Sequence, residues 1–88
     1  MDTQTILIVD DEPEIVELMR DFLEASGFGV ATAESGEAAL RLLEQGPVDC
    51  ILLDVMMPGM SGFEALRQIR GTGDTPVLFL SARQGDAD

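Results

Sequence analysis

Three short apolar runs, each closed by an oxygen-bearing side chain, constrain this chain more than any other feature. Thr5-Ile6-Leu7-Ile8-Val9 runs into Asp10-Asp11, Cys50-Ile51-Leu52-Leu53 into Asp54, and Pro76-Val77-Leu78-Phe79-Leu80 into Ser81. The runs are too short for helices and are continuous rather than alternating, the pattern of strands buried on both faces of a parallel sheet. After the first run, Ile15, Val16, Leu18, Met19, Phe22 and Leu23 recur at three- and four-residue spacing, which predicts an amphipathic helix with that face inward. Pro13 falls in its first turn and Gly27 past its end. Phe28 to Ala33 is a weaker strand, diluted by Gly29 and two alanines. Ser35 is the expected N-cap of a second helix with Ala38, Ala39, Leu42 and Leu43 on one face, stopped by Gly46-Pro47. The loop Val55 to Met60 leads to Ser61, which has capping-box spacing to Glu64 and opens a third helix with Phe63, Leu66 and Ile69 inward. Ala82 to Asp88 is polar. The order β-α-β-α-β-α-β implies one α/β unit with a parallel sheet and right-handed crossovers.

Composition removes several function classes. The 88 residues carry 17 Asp and Glu against 5 Lys and Arg, a net charge of −12; all five cations are Arg, and His is absent. A chain this acidic cannot build the basic face that nucleic acid requires. Without His or Lys it has no Ser-His-Asp triad, no Walker lysine and no Schiff base. The single Cys50 excludes an internal disulfide and a Cys-rich zinc site, and reads as a small core residue in a reducing, cytoplasmic setting. Met1-Asp2-Thr3-Gln4 is not a signal peptide. No apolar run approaches the roughly 20 residues of a membrane span.

In open parallel sheets, ligands sit beyond the carboxyl ends of the strands, where strand order reverses. With the order 2-1-3-4, the first and third strands are neighbours roughly 4.8 Å apart. Asp10, Asp11, Asp54 and Ser81 then converge on one patch. Carboxylates that close raise one another's pKa unless a cation intervenes. The donors are all hard oxygens, so Mg²⁺ is the natural partner. A carboxylate beside Mg²⁺ can attack phosphorus and form an aspartyl-phosphate. Taken singly, each residue has a plainer role. Asp11 could be an N-cap with Glu14 as its capping-box partner, Asp10 a solvated strand end, Asp54 a loop cap and Ser81 a turn hydroxyl. Met56, Met57 and Met60 read as gap-filling loop residues rather than a partner groove, and Glu14, Glu17, Asp21 and Glu24 as a solvated helix face.

Three blocks in this order resemble the receiver domain of two-component response regulators: Ile6-Leu7-Ile8-Val9-Asp10-Asp11-Glu12, Asp54-Val55-Met56-Met57-Pro58-Gly59-Met60-Ser61-Gly62, and Pro76-Val77-Leu78-Phe79-Leu80-Ser81-Ala82. The resemblance covers the whole chain. It implies a flavodoxin-like doubly wound sheet of order 2-1-3-4. It makes Asp54 the phosphoacceptor, with Asp11, Asp10 and the backbone carbonyl of Met56 holding Mg²⁺ alongside Asp54. Ser81 would hydrogen-bond a phosphoryl oxygen, and Ala82 would offer a backbone N–H to it. Met56 and Arg83 would lie at positions that tune hydrolysis of the acyl phosphate. The implied partner is a sensor histidine kinase or a phosphotransfer protein. The chain would be no enzyme beyond assisting its own phosphorylation and dephosphorylation.

The departure from the family pattern is an essential Lys on a fifth strand, which these residues lack. Receivers run to roughly 120 residues, so residues 1–88 are expected to be a partial receiver without the fifth strand, the last helices and the output domain, which in the family is commonly DNA-binding. The apolar fourth strand is then expected to recruit another copy, by edge pairing or exchange of elements. Two other classes stand beside this reading. One is an interaction module that is never phosphorylated. The other is a Mg²⁺-dependent phosphatase with an Asp nucleophile, which would want Asp-x-Asp after the first strand where this chain has Asp10-Asp11-Glu12.

Overall fold

A computed structural model of the chain describes residues 3–54, 62–71 and 73–80. Its elements are β1 (Thr5–Val9), α1 (Pro13–Ala25), β2 (Gly29–Ala33), α2 (Gly36–Gln45), β3 (Cys50–Asp54), α3 (Gly62–Arg70) and β4 (Val77–Leu80). The expected alternation is therefore present. The strands form one parallel sheet in the order β2-β1-β3-β4. The expected third helix is seen, while Ser61, the side chain of Phe63, the loop Val55 to Met60 and the tail from Ser81 lie outside the described residues.

Crossover handedness decides which helix covers which face. The step from β1 to β2 runs one way along the sheet, and the steps from β2 to β3 and from β3 to β4 run the other way. Right-handed connections therefore put α1 on one face and α2 and α3 on the opposite face. The main core lies on the second of these faces. Leu7, Val9, Ala33, Ile51 and Leu53 of the sheet pack with Ala39 of α2 and with Ala65 and Ile69 of α3. Full burial of one such aliphatic side chain contributes about 1.5–3 kcal/mol. Small residues at Ala39 and Ala65 let the helices approach the sheet closely, and the sequence reading had not singled out Ala65.

Local signals set the helix ends. Ser35 Oγ accepts the Ala38 N–H at 3.1 Å, the expected cap of α2. After α1, Gly27 takes φ +99°, a left-handed turn that a side chain would strain. The N-cap of α1 is Glu12, with no side-chain cap bond, so Asp11 is not the cap that its spacing to Glu14 suggested. A second correction concerns the outer flank of α1. Leu18 and Phe22 were expected inward, yet they are 71% and 70% exposed, and α1 has no buried residue. The sheet on that side offers Leu52 as floor to a groove lined by Leu18, Met19, Phe22 and Leu23. α1 alone covers this face among the described residues, and one helix cannot enclose both of its own flanks.

Candidate functional site

Strand order reverses between β1 and β3, so the crevice beyond their carboxyl ends is where this topology presents ligands. The ladder pairs Ile6 with Cys50, Leu7 with Ile51, Ile8 with Leu52 and Val9 with Leu53. The next residue on each strand is Asp10 and Asp54. Both are 5% exposed, the buried charged residues of the described chain. Asp11 is half-buried beside them. Carboxylate oxygens of Asp10, Asp11 and Asp54 lie within 4.8 Å of one another.

Asp10 is held on two sides. Its N–H donates to the Ala33 carbonyl at 3.1 Å, tying the end of β1 to the end of β2. Its Oδ1 accepts the Glu12 N–H at 3.0 Å, which turns the carboxylate back over the start of the loop. Burial raises the Asp10 carboxyl above the usual carboxylate value, and the Glu12 N–H opposes this. The Asp54 carboxyl, by charge and by a hydrogen bond, and then the charge of Asp11 push it further upward. The sequence reading missed the Glu12 N–H. The signal was present in the Asp10-x-Glu12 spacing, since Asp side chains commonly bond the backbone two residues on.

The donor set fits a hard divalent cation. Three carboxylates share one small volume, with no sulfur or imidazole among them, and Mg²⁺ takes oxygen ligands at about 2.0–2.1 Å. A bound cation would also relieve the mutual repulsion that raises Asp10. Beside the cluster, between α1 and the end of β2, a cavity of about 250 Å³ is lined by Asp10, Asp11, Glu17, Arg20, Thr32 and Glu34 among others. Of the residues singled out from sequence, Asp10, Asp11 and Asp54 are brought together. Met56, Ser81, Ala82 and Arg83, with Met57 and Met60, lie outside the described residues.

Comparison with known proteins agrees with this geometry. The sequence profile of the response regulator receiver domain matches residues 6–88. The transcriptional regulatory protein YvrH of Bacillus subtilis is 48% identical over 89 residues, which is 100% of this chain and 38% of that protein. The transcriptional regulatory protein CpxR of Escherichia coli is 46% identical over 83 residues, 94% of this chain and 35% of that one. The chain thus spans little more than a third of these relatives. Among solved structures, the response regulator TrrA of Thermotoga maritima, in complex with Mg²⁺-BeF, superposes with a TM-score of 0.85 at 39% identity, covering 98% of this chain and 76% of that one. The N-terminal domain of a response regulator receiver protein from Methanoculleus marisnigri gives a TM-score of 0.88 at 45% identity, covering 93% and 69%.

Proposed function

Because this chain belongs to the response regulator receiver domain family, a family of two-component signalling modules, we propose that Asp54 accepts a phosphoryl group from a histidine kinase or a phosphotransfer protein. The observation that carries the proposal is the convergence of Asp10, Asp11 and Asp54 within 4.8 Å at the switch point of the sheet. An Asp54 carboxylate oxygen forms the new O–P bond as the P–N bond of the donor phosphohistidine breaks, and the electron pair leaves with the imidazole. Asp10, Asp11 and Asp54 would hold Mg²⁺, with the Met56 carbonyl as a further ligand. Bound there, Mg²⁺ supplies charge stabilisation for the incoming phosphoryl oxygens. Asp54 is largely buried, and the Glu12 N–H holds one oxygen of the Asp10 carboxylate. Ser81 would donate its hydroxyl, and Ala82 its N–H, to phosphoryl oxygens.

The same reading places the chain in the cytoplasm with its kinase; no helix among the described residues is long and apolar enough to cross a membrane. It also assigns the regulatory output to residues outside these 88. Self-association through β4 is supported by Leu78 and Phe79, 58% and 43% exposed on opposite faces of that strand.

The test is intact-protein mass after incubation with Mg²⁺ and acetyl phosphate. A gain of one phosphoryl group that is lost in Asp54→Ala and in a chelated sample is the expected result. A gain that survives in Asp54→Ala would overturn the assignment. A second reading is an interaction module that is never phosphorylated. It predicts Mg²⁺ binding without any gain in mass.

A further inference from the structure

We infer that Asp49 is a positioning residue for the acidic site: its pairing with Thr5 sets the level at which β1 and β3 lie side by side, and so the separation of Asp10 and Asp54. The inference rests on the reading of that cluster as a Mg²⁺-dependent phosphoacceptor. The Thr5 N–H donates to Asp49 Oδ2 at 2.8 Å, and the Asp49 N–H donates to the Thr5 carbonyl at 2.8 Å. This reciprocal pair lies one residue before the first rung of the ladder, Ile6 with Cys50. Asp10 and Asp54 lie one residue beyond the last rung, Val9 with Leu53.

Along the interiors of the two runs, burial fixes that level only weakly. A slip of one residue would turn Ile51 and Leu53 out of the core, so burial forbids it. A slip of two residues keeps every side chain on its own face. Within Ile6–Val9 and Cys50–Leu53 such a slip mostly exchanges one aliphatic neighbour for another, so the interiors of the runs discriminate weakly. The displacement would be about 6.6 Å along the strand, more than the 4.8 Å that spans the three carboxylates. The Asp49 side chain marks the level at the end of the ladder away from the site, because its Oδ2 takes the Thr5 N–H while the Asp49 N–H to Thr5 carbonyl bond is a backbone rung that any residue could make. Smaller shifts matter too, since Mg²⁺ tolerates little departure from octahedral geometry.

The experiment is a Mg²⁺ titration by calorimetry on the full chain and on Asp49→Ala, Asp49→Asn and Ser35→Ala. Circular dichroism sets a temperature at which all four are folded. Asp49→Ala is expected to weaken Mg²⁺ binding by up to about tenfold, the low end of what removing a direct outer-shell partner of a metal ligand costs. Asp49→Asn keeps an oxygen acceptor for the Thr5 N–H and is expected to bind within about twofold of the unaltered chain. Ser35→Ala removes the α2 cap, lowers stability while leaving the Thr5–Asp49 pair intact, and is expected to leave affinity unchanged. Unaltered affinity in Asp49→Ala, or an equal loss in Asp49→Asn or Ser35→Ala, would overturn the inference. An unaltered chain that binds no Mg²⁺ overturns the reading of the cluster itself, and the inference with it.

Discussion

Asp10 and Asp54 occupy the same level on neighbouring parallel strands, one residue past the pair Val9 and Leu53, and each is 5% exposed. Two carboxylates buried side by side are unfavourable unless something shares their charge, and this relationship governs how the protein should respond to metal and to pH.

Mg²⁺ should stabilise the folded chain. A ligand that binds only the folded state at a hundred times its Kd adds about 2.7 kcal/mol. Thermal unfolding followed by circular dichroism should show a midpoint that rises with Mg²⁺ and returns with chelator. The rise should vanish in Asp11→Asn, and a rise of the same size there would show that the ion binds elsewhere.

Without metal, stability should fall as pH rises. The Asp10 carboxyl is raised in the folded state by burial and by its acidic neighbours. Between the unfolded value, about 3.9, and the raised folded value, the folded state holds more protons than the unfolded one. Stability is therefore lost as pH climbs through that window. Asp10→Asn should flatten this loss in urea midpoints measured in chelator from about pH 4 to 7. A slope identical to that of the unaltered chain would contradict the assignment.

The two flanks of the sheet should respond very differently to truncation. Ile51 is fully buried, and Ile51→Ala should cost about 2–5 kcal/mol. Leu18 is 71% exposed, and Leu18→Gln should stay within about 0.5 kcal/mol. Comparable losses in urea denaturation would mean that Leu18 is covered in solution.

Association through β4 should depend on concentration and on salt. Each chain carries −12, so added salt should strengthen self-association by screening repulsion. Light scattering should report a mass that rises with both variables and falls toward the monomer in Leu78→Lys. A monomeric mass throughout would rule out the edge as a contact.

The order of elements, the strand ends at Asp10 and Asp54, and the Ser35 cap were all legible in the sequence, because each is a local matter. Run length, β-branching, helical spacing and capping chemistry act within a few residues. The family blocks then assigned roles that no single residue could support. The sequence placed Asp11 in the acidic cluster but left an N-cap role open for it, and the structure gives that cap position to Glu12. The sequence did not show Leu18 and Phe22 exposed, since helical periodicity marks an apolar face without saying how wide a surface is available to cover it. Nor could it give the level of β1 against β3, on which the 4.8 Å grouping of the carboxylates depends. Register and enclosure are set by pairings between segments more than forty residues apart, such as Thr5 with Asp49, and these exist only once the chain has folded.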